Sequence, residues 1–451
     1  MNCDSSYRLP KGFVWGCATA SYQVEGAVAE EGRLPSVWDT FSHTPGKTFE
    51  GHTGDVACDQ YHRFKDDVKL MVDLGFKAYR FSVAWPRVVP AGDGAVNPKG
   101  LDYYSRLVDA LLAAGIEPFP TLYHWDLPQA LEDKGGWRNR ATVDAFTAYA
   151  NAVARSLGDR VRNWFTLNEP WCFTRLGYET GLHAPGAKEP PKVVNQIIHH
   201  ALLAHGAGVR AVRQFAMPAA KVGMAPNPGV AVPVVETPAC IEAARRHWRR
   251  DNAQFIESIL KGGYPQWWLD EQGDNAPKIE RGDLEAMSPP TDFLAINVYS
   301  GGFVEPSDDP KGYRVLDLPK AYPRGDVPWL NWVPQAIYWA IRHAVEAYGV
   351  EKVYISENGS CWPDEMTADG RVIDLGRREM LREYLIQVQR AAAEGLPVAG
   401  YFVWTLMDNF EWAEGYAKRF GVCWTDFQTQ QRTPKLSARW LSEVIKANRV
   451  L

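Results

Sequence analysis

Apolar positions recur along this chain in two alternating periods. Phe64, Val68, Met71 and Val72 fall at helical spacing, Gly75 follows, and a short apolar run over 77–84 comes next. Leu101, Tyr104, Leu107, Val108, Leu111 and Leu112 repeat the pattern, with Gly115 and the run 116–123 after them. Phe146, Tyr149, Val153 and Leu157 lead to Gly158 and 161–167. Ile337, Ala340, Ile341 and Ala344 lead to Gly349 and 353–356, and Met380, Leu381, Tyr384 and Val388 to Gly395 and 398–404. A glycine at each helix end is expected to supply a left-handed cap that turns the chain back. Further runs at 13–18, 221–224 and 293–297 bring the predicted strands to eight.

Strands alternating with helices predict parallel βα units, and eight of them favour a closed barrel over an open doubly wound sheet. The expected fold is α/β, a single (β/α)8 TIM barrel over residues 1–451 with long loops after its strands. No G-x-G-x-x-G follows any strand, which argues against a dinucleotide site. Long irregular stretches are expected at about 21–54, 226–290 and 300–328.

Composition narrows the function. The net charge is −5 and basic residues are scattered, so nucleic acid and anionic membrane are poor partners. Residues 1–6 show no basic segment followed by an apolar one, and no stretch is long and apolar enough to span a membrane. Seven widely spaced cysteines without C-x-x-C suit a reducing cytosol, so a cytoplasmic protein is expected. His199, His200 and His205 cluster, but no carboxylate motif completes a metal site, and no metal or organic cofactor is expected. The 18 Trp, 19 Tyr and 18 Phe mostly suit a large core, with a sugar pocket as the sharper reading.

Barrel chemistry lies at the C-terminal ends of strands. Read in order, those ends carry Gln23, Arg80, His124-Trp125-Asp126, Asn168-Glu169, Asn297 with Tyr299, Glu357-Asn358, and Trp404 followed by Glu411-Trp412. Each carboxylate alone could be a cap or an ion-pair partner. Their joint placement among amides, imidazole and indoles is what glycoside hydrolysis requires.

Six segments carry a resemblance: FVWGCATASYQVEG at 13–26, YRFSVAWP at 79–86, HWDLP at 124–128, TLNEP at 166–170, ISENG at 355–359 and WTLMDNFEW at 404–412. In this order they resemble the signature blocks of glycoside hydrolase family 1. The resemblance implies a retaining exo-β-glycosidase acting on small-molecule β-glycosides, foremost a β-glucosidase releasing glucose from cello-oligosaccharides and aryl or alkyl glucosides. It implies Glu169 as acid/base and Glu357 as nucleophile, with Asn168 on the sugar 2-OH. Gln23, His124 and Trp125 resemble contacts to other hydroxyls, Glu411 and Trp412 readers of the 4-OH and 6-OH, and Trp404 a stacking platform. Arg80, Asn297 and Tyr299 resemble the shell that keeps Glu357 ionised, and Phe420 a further wall. Trp329 resembles a leaving-group contact, and Cys172, Phe173 and His183 are candidates to line the entrance. Cys172 itself reads as a small packed thiol.

Two features refine the expectation. Relatives acting on 6-phosphosugars carry a phosphate-holding group where this chain has Glu411, which should repel a phosphate. Thioglucosidases replace the acid/base with Gln, whereas Glu169 is present. A transglycosylase, a β-galactosidase or β-fucosidase, and an inactive sugar-binding protein are the rival readings. Oligomeric state is not legible.

Overall fold

The computed structural model describes residues 8–451, so the reading of residues 1–6 and the Cys3 thiol lie outside the described residues. Eight parallel strands close into a barrel: β1 Val14–Ala18, β2 Ala78–Ser82, β3 Glu117–Tyr123, β4 Asn163–Asn168, β5 Lys221–Ala225, β6 Phe293–Asn297, β7 Val353–Asn358 and β8 Val398–Trp404. Neighbours follow chain order, and β1 closes the ring by pairing Val14 with Gly400 of β8 and Gly16 with Ala78 of β2. The eight runs read from the sequence are these eight strands.

Inside the barrel, aromatic rings fill the floor. Phe119 meets Phe402 at 5.0 Å and Phe165 at 6.0 Å, and Phe293 meets Phe165 at 5.4 Å and Tyr354 at 5.1 Å. Three of these four contacts are edge-on, which suits the ring quadrupole, and together they absorb part of the aromatic content. Polar side chains above this floor are therefore held over an apolar plug.

Outside lie α1 Gln60–Leu74, α2 Pro98–Ala113, α3 Ala141–Leu157, α4 Pro191–Phe215, α5 Pro238–Asn252, α6 Gln335–Tyr348, α7 Leu375–Ala393 and α8 Leu436–Ala447. α2 begins with Pro98 after Asn97, whose side chain accepts from the Lys99 amide at 3.3 Å. Val72 and Leu112 do not face the core as expected. They are 46% and 39% exposed, because each lies one residue, about 100° around the helix, beyond the inward-facing Met71 and Leu111. Gly75, Gly115, Gly349 and Gly395 adopt positive φ, but Gly158 does not, at φ −69°. Its reason is space: a Cβ there would lie 2.6 Å from Ala216 Cα and 2.3 Å from Ala154 O.

The stretches 226–290 and 300–328 are less irregular than expected. The first holds α5 and the helices Gln266–Gln272 and Asp283–Met287. A strand at Ala231–Pro233 joins Gly302–Pro306 and Tyr313–Leu316 in a three-stranded sheet beside the barrel. These three strands are not buried apolar runs like those of the barrel: Gly302–Pro306 and Tyr313–Leu316 are mostly half-buried or exposed, and Ala231–Pro233 is only three residues long.

The loop after β8 is anchored by buried charge. Asp408 accepts from Lys435 at 2.6 Å, Arg419 at 2.7 Å and the Gly421 amide at 2.9 Å. Lys435 also reaches Asp364 at 2.6 Å, and Arg377 binds Asp364 and Asp374 at 2.6 and 2.5 Å. Three acids and three bases thus balance, tying the β7 and β8 loops to the starts of α7 and α8. Breaking such a set leaves uncompensated buried charge. Lys435→Met is expected to cost about 3–5 kcal/mol of stability by chemical denaturation; a loss no larger than that of an exposed lysine would mean the cluster is solvated.

Candidate active site

The two carboxyls sit where strand register breaks. β4 shifts against β5 between Phe165 and Asn168, and β7 shifts against both neighbours after Ile355. Bulges re-aim side chains at strand ends. Here they lie at Asn168-Glu169 and Glu357-Asn358. Gly359 follows because only a hydrogen fits there: a Cβ would meet the Trp404 carbonyl oxygen at 1.7 Å.

Arg80, rising from β2, organises the floor of the site. Its Nη1 donates to Glu357 Oε1 and, at 3.2 Å, to the Ser356 carbonyl. Its Nη2 donates to Asn168 Oδ1 at 2.6 Å, and its guanidinium lies 4.9 Å from the Phe165 ring centre. Tyr299 donates its hydroxyl to Glu357 Oε2 at 2.6 Å. Asn297 Nδ2 donates to both Asn168 Oδ1 (2.9 Å) and Glu169 Oε1 (2.8 Å), while its own Oδ1 accepts from Ser356 at 2.6 Å. One continuous hydrogen-bond chain therefore joins the two glutamates.

That chain also fixes His124. With Asn168 Oδ1 occupied by two donors, its Nδ2 faces His124 Nε2 at 3.0 Å. Nε2 must then accept, which places the imidazole proton on Nδ1. Burial, with Arg80 nearby, holds the imidazole pKa well below its usual range, so the ring is neutral.

Burial raises both glutamates. The nearby charge of Glu357 adds to burial in pushing Glu169 up to about 7. Glu357 is raised too, against the opposing pull of Arg80, Tyr299 and Asn297. Arg80 does pull Glu357 down, in keeping with the shell expected to keep it ionised, but desolvation outweighs that pull in the net shift. Arg80 still favours the anion at Glu357, so the shared proton rests on Glu169.

The remaining predicted residues converge on the same mouth. Trp404 stacks 5.8 Å from His124, and Trp412 packs 4.5 Å from Trp125. Trp125 donates its indole N–H to the Asn168 carbonyl at 3.0 Å. Gln23 Nε2 is shared by Asn409 Oδ1, the Phe410 carbonyl and Glu411 Oε2, at 3.0, 2.9 and 3.2 Å. Trp329, 53% exposed, stacks on Phe420 at 6.3 Å and meets Tyr299 edge-on at 5.9 Å. Trp125, Glu169 and Trp412 all adopt positive φ, at 76°, 45° and 51°. Such conformations cost roughly 1–3 kcal/mol each and persist where surroundings over-determine them. The Glu169 amide is held by the Ala225 carbonyl of β5 at 2.9 Å.

Several residues differ from expectation. Phe173 is buried against Tyr123 and Trp137, not at the entrance, whereas His183 lies 5.5 Å from Trp125. Cys172 is not a plain packed thiol: its Sγ lies 3.0 Å from Glu169 Oε2. Ser356, Thr121 and Asn227 belong to the network and carried no sequence signal, since single small polar residues near strand ends are common. His199 bonds Asp283 at 2.9 Å, His200 the Trp137 carbonyl at 2.8 Å, and His205 Thr166 at 2.7 Å. Among the described residues, no three His, Cys, Asp or Glu side chains are grouped to hold a metal. Glu411 is pushed up to about 8 by burial and by Glu357, so near neutral pH it mostly holds its proton. Its carboxyl accepts from the uncharged amide of Gln23 at 3.2 Å.

Comparison with known proteins bears on the family and the fold. The sequence model of Glycosyl hydrolase family 1 matches residues 5–450. Beta-glucosidase A of Thermotoga maritima is 43% identical over 442 residues, covering 98% of each chain. The bifunctional beta-D-glucosidase/beta-D-fucosidase of Bifidobacterium breve is 43% identical, covering 97% of this chain and 98% of its own. The solved beta-glucosidase from Thermotoga maritima in complex with deoxynojirimycin superposes with a TM-score of 0.91, covering 99% of this chain and all of that one.

The raised carboxyls make stability depend on pH. Glu169 and Glu411 bind protons more tightly folded than unfolded. Their contribution is full below the ordinary carboxyl value of 4.5 and is lost as pH rises through about 7 and about 8. Glu411→Gln removes one such group, so its melting temperature relative to wild type is expected to be higher at about pH 8 than at about pH 5. A pH-independent difference would place Glu411 in the ordinary carboxylate range.

Proposed function

The chain belongs to glycosyl hydrolase family 1 and is a glycosidase, and from that premise we propose a retaining β-glucosidase acting at the non-reducing end of short β-glucosides. The observation that carries this reading is the asymmetric carboxyl pair: Glu357 touches a guanidinium and a phenol, and Glu169 does not. Glu357, held as the anion, attacks the anomeric carbon while Glu169 protonates the leaving oxygen. The ester so formed at Glu357 is neutral. Its repulsion on Glu169 ends, so Glu169, already an anion after protonating the leaving oxygen, is stable as one until it takes a proton from the water that hydrolyses the ester.

Asn168, fixed by Arg80, Asn297 and His124, is read as the partner of the 2-OH, where tightening in the transition state adds several kcal/mol. Gln23, His124, Glu411 and Trp412 read the remaining hydroxyls above the Trp404 platform. The stacked pair Trp329 and Phe420 suits an aryl or alkyl leaving group. A cavity of about 600 Å³, lined by Pro170 and Trp171, which follow Glu169 in the chain, and by Asn227, Gln254 and Trp268 among others, has room for further sugar units. Cello-oligosaccharides are therefore proposed substrates, with cellulose breakdown as the setting. β-Fucosides and β-galactosides, differing only at the 6-OH and 4-OH, are proposed secondary substrates. One dominant core, with a small satellite cluster at Ala231, Ala243, Ala244 and Val304, supports a single catalytic domain, and the six free cysteines among the described residues, five of them buried, suit a reducing cytoplasm. No helix among the described residues is long and apolar enough to cross a membrane.

Azide separates the two roles. Glu357→Gly is expected to lose turnover of an aryl β-glucoside and, with azide, to form the α-glucosyl azide. Glu169→Ala is expected to fall about 10²–10⁴-fold on poor leaving groups and to form the β-glucosyl azide. The same azide anomer from both variants would overturn the assignment. In the wild type, activity is expected to decline as pH rises through about 7, where Glu169 loses its proton.

A further inference from the structure

Each oxygen of Glu169 has one donor, and they come from different parts of the barrel. Oε1 takes the Asn297 amide of β6. Oε2 faces Cys172 Sγ at 3.0 Å, from the turn that follows β4. The thiol is itself oriented: Asn227, after β5, donates Nδ2 to Sγ at 3.3 Å. With a sulfur lone pair so occupied, the S–H is directed at the carboxyl. Burial pushes the thiol pKa well above its ordinary range, so Cys172 remains a neutral donor and never competes as an anion.

We propose that Cys172, oriented by Asn227, is a positioning residue that sets how readily Glu169 releases its proton. The inference rests on the reading of Glu169 as acid/base. A donor to Oε2 favours the carboxylate, so it strengthens the acid that protonates the leaving oxygen and moderates the base that later activates water. The S–H is a weak donor. It trims the rise caused by burial and by Glu357 without cancelling it, which leaves one group able to serve both half-reactions. The Cys172 amide also donates to the Glu169 carbonyl at 2.9 Å, so thiol and carboxyl are held on one turn of backbone.

The test compares pH profiles of kcat/KM for Cys172→Val, Cys172→Ser, Asn227→Ala and Glu169→Ala. Valine fills the site and removes the donor; its alkaline limb is expected to move up by about half a pH unit. A weaker acid penalises poor leaving groups, so the rate ratio of methyl to dinitrophenyl glucoside is expected to fall about three-fold in the same variant. Serine restores the limb to the wild-type position or below it, and Asn227→Ala moves it the same way as valine by a smaller amount. An alkaline limb unmoved in both Cys172→Val and Asn227→Ala, or shifted equally by valine and serine, would overturn the proposal and leave Cys172 as packing. If the limb survives in Glu169→Ala, it belongs to another group, and the acid/base reading fails instead.

Discussion

One buried guanidinium serves a site that contains three carboxyls. Arg80 contacts Glu357 directly and Glu169 only through Asn168 and Asn297. It sits on the aromatic floor of the barrel, where desolvation strengthens any charge interaction. The carboxyls beyond its direct reach, Glu169 and Glu411, are raised to about 7 and about 8. In the proposed reaction this asymmetry assigns the roles: the anion stays beside the cation, and the proton waits on the other glutamate. As Glu357 becomes a neutral ester that proton passes to the leaving oxygen, and Glu169 is left as an anion with no charged neighbour to oppose it.

Such an arrangement needs walls that do not relax. Three site residues hold positive φ, and both carboxyls lie at breaks in strand register, so local backbone preference opposes the site. What resists relaxation is packing and buried charge around it. Trp412 lies between Trp38 and Trp125, at 4.6 and 4.5 Å. The Asp408–Lys435–Asp364–Arg377 cluster clamps the loop that carries Glu411. Strain at the mouth is thus balanced by interactions one layer further out.

Much of this was legible in the sequence. The eight strands were visible because helix-period and strand-period runs alternate, and the polar residues at their ends include both glutamates and Arg80. Less visible was everything that depends on contacts between distant segments. The bulges at Asn168 and Glu357 leave no compositional trace. Cys172 looked like packing because Asn227, which orients its thiol toward Glu169, arrives from beyond β5. Phe173 looked like an entrance residue until the π-helical turn at Cys172–Thr180 pointed it into the core. The net rise of Glu357 could not be read from Arg80 alone, since burial is a property of the whole fold.

In the proposed reaction the charge on Glu357 governs the proton on Glu169. The most direct measurement is a ¹³C NMR titration of Glu169, in the free enzyme and after Glu357 is trapped as a 2-deoxy-2-fluoroglucosyl ester. A pKa near 7 in the free enzyme that falls in the trapped enzyme, by a unit or more in order of magnitude, is the predicted result. An unchanged pKa would show that burial alone sets Glu169 and that the two carboxyls act independently.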